Sequence, residues 1–408
     1  MYRAVTTVAI LAMVSAGSAC GGGSSSSPAA STLNSISGTV SGAVTSGVYV
    51  NLTGASNAST TTDASGNYSF TGLPDGSYTV TPSATGYNLT PASMSVTVNG
   101  ADMPGQNFTA VTSTIVEFSL PTRSDEPQGI AAGPDGNLWF TEYASNQIGC
   151  ITPTGTITEF AIPTSNSGPA GITAGPDGNL WFTEFYAGKI GYIIPSGTIT
   201  ELATLSSGSE PHSIATGPDG NLWFTEINGN RIGRITPSGT IAEFAIPTSG
   251  GNADGIAAGP DGNLWFTEYA VSQIGRITPS GTITEFAIPS GSAPHGIASG
   301  ADGNVWFTEP SAGIANRIGC ITPSGTITEF AIPTSGSDPE SIAAGPDGNL
   351  WFTEQEGNQI GRITPSGTIT EFAIPTTGSF PLGIVAGPDG NLWFTEAYGS
   401  KIGRIPPQ

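Results

Sequence analysis

One phrase, GPDGNLWFTE, returns seven times with small variations and limits what this chain can become. It carries all the tryptophans of the sequence: Trp139, Trp181, Trp223, Trp265, Trp306, Trp351 and Trp393. Their successive spacings are 42, 42, 42, 41, 45 and 42 residues. A steady period of this size marks a repeat architecture, in which each unit covers its apolar faces with its neighbours. Each unit divides into four strand-length pieces, in the first unit GIAAG, NLWFTE, NQIGCIT and TITEFAI, separated by PDG and PTG turns. Four antiparallel strands per unit make one blade of a propeller. The fold class expected is all-β, with a seven-bladed β-propeller over residues 113–408.

The two ends of the array fit a closed ring. The last copy stops at KIGRIPPQ, after its third strand, and a fourth-strand sequence, STIVEFSLPT, stands in front of the first unit at 113–122. The fourth-strand glutamates are Glu117, Glu159, Glu201, Glu243, Glu285, Glu329 and Glu371. The N-terminal strand is therefore expected to complete the last blade, which removes the open sheet edges of a linear array. The tryptophans fill space between neighbouring sheets, and the Asp of PDG suits a tight turn.

Ahead of the array the sequence changes twice. Residues 1–20 read as an export signal: Arg3, an apolar stretch over 4–16, then small residues before Cys20. The pattern is that of a lipoprotein signal, with Cys20 lipidated, and the Gly/Ser-rich segment 21–34 would be a flexible linker. Residues 35–110 have no copy elsewhere, and their short alternating runs suggest a small N-terminal β-sandwich. The protein is expected to be exported, held at the cell envelope only through the lipid, and monomeric. The net charge of −21, from 10 Lys+Arg against 31 Asp+Glu, excludes a nucleic-acid partner. Cys150 and Cys320 occupy equivalent positions in distant repeats and are expected to be unpaired thiols.

Function should lie where the copies differ. The residue just before the (G/S)-Ile start of each first strand is Gln128, Ala170, His212, Asp254, His295, Glu340 and Leu382. Four successive units thus offer His, Asp, His and Glu at a place expected to border the central opening. Counting across the hairpin sets His212 opposite Thr225 with Glu226 diagonal to it, and His295 likewise near Glu309. Glu210 stands two residues before His212. An imidazole beside carboxylates can move a proton, and carboxylates can hold a divalent cation. The repeated glutamates can equally serve the backbone of every blade, which leaves the two histidines as ordinary loop residues.

GPDGNLWFTE, IGRITPSGTITEF and PHGI resemble the virginiamycin B lyase (streptogramin B lyase) family over roughly 113–408. Gly66, Tyr68, Phe70, Leu73, Pro74, Gly76 and Tyr78 resemble the carboxypeptidase regulatory-like (prealbumin-like) domain. The first resemblance implies a lyase that linearises cyclic depsipeptides by elimination. In that reaction a His base removes a proton next to the ester carbonyl, and Mg²⁺ stabilises the developing charge. The family pattern is Glu-x-His, a Glu fourteen residues later, and a second His one blade earlier. It maps proton transfer to His212 and His295, and metal binding to Glu210, Glu226 and Glu309, with Asp254 and Glu340 as further ring-face candidates. Ala170 and Asp254 stand where the second His would be, and Ala293 replaces the first Glu before His295. In the family the set lies on the last two blades, where this chain has Glu340, Phe380 and Leu382. The alternative is a non-catalytic, surface-tethered binding module for a glycan, peptide or protein partner; in either case the ligand, a small molecule, peptide or glycan, would sit on the same loop face.

Overall fold

The structure is a computed structural model that describes residues 33–84, 87–91, 93–112, 115–122, 125–310 and 316–407. The expected signal 1–20, Cys20 and the linker 21–34 up to residue 32 lie outside the described residues. The described residues are all-β, apart from one turn of 3-10 helix at Tyr269–Val271, and form nine four-stranded sheets. Two of these, built from eight strands between Asn34 and Thr112, share one core around Val50, Phe70, Tyr78, Val80 and Phe108.

The remaining seven sheets each hold four strands in sequence order, as with Pro127–Ala132, Leu138–Glu142, Gln147–Ile151 and Ile157–Ala161. The seventh is the exception: its fourth strand is Val116–Ser119, paired antiparallel with Lys401–Ile405 so that Glu117 faces Gly403. Lys401 Nζ lies 2.9 Å from Glu117 Oε2, and the Thr376 amide donates to Glu117 Oε1 at 2.9 Å. The start of the repeat array is thereby tied to its last strand, as the displaced fourth strand implied.

The second strand explains the packing. Leu138, Trp139, Phe140, Thr141 and Glu142 are all buried, because both faces of the sheet are covered. Side chains alternate, so Trp139 and Thr141 share one face and Leu138, Phe140 and Glu142 the other. Trp139 packs with Leu180 and Phe182 of the next sheet, and so on round the ring until Trp393 packs with Leu138 and Phe140 of the first. Each indole also donates from Nε1 to the PDG aspartate of its own unit, as Trp223 does to Asp219 at 3.0 Å. The aspartate is thus more than a turn former, since it satisfies the one polar atom of a fully buried ring. Cys150 and Cys320 are free and buried, and burial pushes both thiols up to about 12.

Candidate functional site

The innermost strands converge on a central channel lined by all seven variable residues, Gln128 through Leu382. What holds them there is the threonine of WFTE. Thr183 Oγ1 donates to the His212 carbonyl at 2.7 Å, and Thr225 Oγ1 does the same to Asp254 at 2.7 Å. Thr225 Oγ1 also accepts from the Ser213 amide at 3.0 Å. The pattern runs round the ring and closes with Thr395 donating to Gln128 at 2.8 Å. Each variable residue is therefore fixed by its backbone, and its side chain is left free to differ. Sequence reasoning missed these threonines, although the signal was plain: a Thr at one place in all seven copies.

On this frame His212, Asp254, His295 and Glu340 form a continuous chain of ion pairs. His212 Nδ1 lies 2.6 Å from Asp254 Oδ1, and His295 Nδ1 lies 3.3 Å from both Asp254 Oδ2 and Glu340 Oε2. The four side chains also line a second hollow at one end of the channel, together with Ile227, Asn252 and Tyr269. Tyr269 meets the His295 ring edge to face at 4.8 Å, and Phe185 meets His212 similarly at 6.1 Å. The side chains keep partial access to solvent, 34% for His212 and 22% for His295.

The charges follow from this geometry. Burial works to lower the His295 pKa, but the Glu340 and then the Asp254 carboxylates outweigh it and carry it up to about 9. Burial likewise works against charge on His212, and Asp254, with help from Glu340, reverses that and raises it. Burial pulls Asp254 upward, yet its two imidazole partners hold it below the usual carboxylate range. Near neutral pH His295 is therefore an imidazolium beside ionised Asp254.

The remaining candidates lie elsewhere. The inner strand pairs Pro211 with Glu226, the register that the count across the hairpin gave, and then carries a bulge between Pro211 and Ile214. Glu226 points to the face opposite Thr225, is fully buried, and has Glu243 and Arg231 as its charged neighbours. The expected closeness of Glu226 to His212 is thus corrected by the alternation of the second strand. Glu309 is likewise buried, and its Oε2 accepts from the Ser290 and Ser292 hydroxyls. Glu210 adopts a left-handed backbone, φ 49°, and accepts from Asn228 Nδ2 at 2.5 Å. The structure brings together the two histidines with Asp254 and Glu340, and leaves the three glutamates outside that cluster. Asp254, His295 and Glu340 offer ligand atoms within 4.8 Å of one another, which fits a divalent cation held by two carboxylates and one imidazole.

A channel-mouth cluster on a ring of four-stranded sheets defines a propeller-type protein whose site is assembled from successive units. Residues 105–264 and 248–408 match the model of the Virginiamycin B lyase family, and the chain belongs to that family. Residues 35–111 match the Carboxypeptidase regulatory-like domain. Among solved structures, the chain is 41% identical to a streptogramin B lyase (TM-score 0.68, over 72% of this chain and 97% of that one). It is 43% identical to virginiamycin B lyase from Staphylococcus aureus (TM-score 0.69, over 72% and 99%). It is also 43% identical to a catalytically inactive histidine-to-alanine variant of that enzyme with quinupristin, at the same TM-score and coverage. A comparison with curated proteins finds no match.

Proposed function

We propose that residues 113–408 are a seven-bladed β-propeller, that 35–110 are a separate β-sandwich, and that the channel mouth is an eliminative lyase site for a cyclic depsipeptide ester. The reading includes export of the protein and its anchoring through a lipid on Cys20. The observation that supports the activity is the ion-paired chain His212–Asp254–His295–Glu340 converging on one hollow. Elimination needs a base for a carbon-bound proton and a charge-stabilising partner for the departing oxygen. Both histidines engage carboxylates through Nδ1, which leaves Nε2 as the nitrogen for substrate. His212, once neutral, takes the proton from the carbon next to a carbonyl. The electron pair forms a carbon–carbon double bond, the neighbouring carbon–oxygen bond breaks, and the ester oxygen leaves as a carboxylate. Protonated His295 stands on the same side to stabilise that negative charge. Asp254, between the two rings, orients both. A magnesium ion, when held by Asp254, Glu340 and a His295 that has given up its proton, would take the place of the imidazolium and supply Lewis-acid stabilisation of the developing negative charge.

The test incubates the purified full chain with Mg²⁺ and quinupristin, followed by liquid chromatography and mass spectrometry. Elimination gives an opened product of unchanged mass, whereas hydrolysis adds one water. His212→Ala and His295→Ala should each abolish the product. Turnover that survives both substitutions rules the reading out. The pH profile of kcat/KM should rise as His212 loses its proton and fall again as His295 is titrated, near pH 9 in the cation-free site.

A second reading, a non-catalytic binding module for a glycan or peptide, is favoured by one observation. Exposed aromatic rings stand beside the variable positions: Tyr186 and Tyr398 are both 66% exposed, and Tyr398 stacks on Phe380 at 4.3 Å. Such rings suit stacking against sugars or aromatic side chains. Retention of an unmodified ligand with no product would select this reading.

A further inference from the structure

We propose that Asp125, Glu142 and Glu159 form a binding site for a hard divalent cation, calcium, in the first unit of the ring. The site is separate from the channel mouth and goes beyond the function proposed above. Its ligand atoms lie within 4.8 Å of one another. Oxygens on opposite sides of one calcium ion, each at about 2.3–2.6 Å, stand up to about 5 Å apart, so a single ion can touch all three carboxylates.

Two features separate this cluster from a solvated acidic patch. Asp125 and Glu142 are both 0% exposed. Both Asp125 oxygens, Glu142 Oε1 and Glu159 Oε1 are buried without a hydrogen-bond partner. Buried carboxylate oxygens without partners are costly, and a cation between them removes that cost. The hydroxyls beside them serve the other oxygens: Ser145 Oγ donates to Glu142 Oε2 at 2.8 Å and Thr122 Oγ1 to Glu159 Oε2 at 3.2 Å.

The repeat itself supplies the control. At the position of Asp125 the other units carry Ser167, Ser209, Gly251, Ser292, Ser337 and Ser379. Every unit has the two glutamates; the first alone adds a third acid, and buries it. Among the described residues only this unit brings three such groups together around its second-strand glutamate. All-oxygen donors select calcium or magnesium over zinc or copper. Full burial of two of the three acids favours calcium, because magnesium keeps several of its waters. Burial, with the mutual repulsion of the acids, lifts Asp125 above its ordinary range and Glu142 up to about 8. Cation uptake near neutral pH should therefore expel protons.

The test is calorimetric titration of the chelator-stripped full chain with CaCl₂ alone and MgCl₂ alone. The expected result is a calcium-binding event with a heat that varies with buffer ionisation, reporting proton release. Asp125→Ser, which installs the residue found in five sister units, should fold normally. It should weaken this event at least tenfold, and it should abolish any calcium-dependent rise in Tm. Asp254→Asn should leave the event in place, which separates it from ion binding at the channel mouth. An isotherm unchanged by Asp125→Ser, or calcium uptake removed wholly by Asp254→Asn, overturns the proposal. The absence of any calcium heat also overturns it, and then protons alone neutralise the cluster.

Discussion

Two sets of side chains belong to the inner two strands of every unit, and they obey opposite rules. The second-strand glutamates, Glu142 through Glu396, are the same in all seven units and fully buried. The inner-strand residues, Gln128 through Leu382, differ in nearly every unit and face the channel. Desolvation keeps the first set near-neutral acids: Glu142, Glu184, Glu268 and Glu396 are carried to about 8, and Glu226 and Glu309 to about 7. Ion pairing keeps the titratable members of the second set, His212, Asp254, His295 and Glu340, charged. The lesson is that repetition builds the frame and variation sets the charge of the channel mouth. A carboxyl on the building side is held by its surroundings in its uncharged form, while a carboxylate at the mouth has an imidazole within reach.

The largest test of this contrast is pH. A buried glutamate whose folded pKa exceeds its unfolded value binds more protons folded than unfolded between those values. Its contribution to stability is fully present below about pH 4.5 and is lost as pH rises through about 7–8. With seven such groups acting in one direction, the Tm of the ring should fall from pH 5 to pH 8.5, by more than any single substitution below shifts it. Differential scanning calorimetry across that range measures it. A flat profile would show that the glutamates are paired or cation-bound, which ends the contrast. Glu226→Gln, uncharged at every pH, should flatten the slope and leave the protein at least as stable at pH 8.5.

Single substitutions on the building side come next. Trp223→Ala removes a fully buried indole from the space it shares with Leu264 and Phe266, and takes from Asp219 one of its donors. A loss of about 3–5 kcal/mol is expected in chemical denaturation. Thr225→Val keeps the shape but deprives the Ser213 amide and the Asp254 carbonyl of their shared hydroxyl. A loss of about 1–3 kcal/mol is expected. Because Asp254 is held through that carbonyl, the same variant should also weaken whatever the channel mouth binds. Unimpaired binding would mean that the threonine ring supports the fold only.

The sequence made the repeating part of this molecule legible, and the reasons are physical. Period, turn residues and the stray strand at 113–122 each report on local geometry, and the pairing of Val116–Ser119 with Lys401–Ile405 agrees. The identity of the channel-lining position was also readable, because it breaks an otherwise constant phrase. What was not readable is which way side chains turn across a bulge. The irregularity between Pro211 and Ile214 joins His212 to Asp254 of the next unit, and alternation sends Glu226 to the other face. Hairpin counting sees neighbours within one sheet, whereas this cluster is built between sheets. The third acid at Asp125 was visible as a departure from Ser but carried no meaning until its burial was known.

The smallest expected effect on stability falls on the channel side, where Asp254→Asn probes charge more than fold. Its ion pairs are partly exposed, so the stability cost should stay below about 1 kcal/mol. That cost has a sign in pH. Histidines with raised pKa values stabilise the fold while protonated, so the difference between variant and parent should be present below pH 6.5 and vanish as pH climbs through about 9. The sharper readout is NMR titration of the two imidazoles. His212 loses the carboxylate that does most to raise its pKa and should titrate at a lower pH than in the parent. His295 keeps Glu340, the largest of its upward influences, and Asp338 as well, and should shift less. Equal shifts, or none, would mean that the chain of ion pairs does not act as a unit, and His212 would then be just another variable residue on the channel wall.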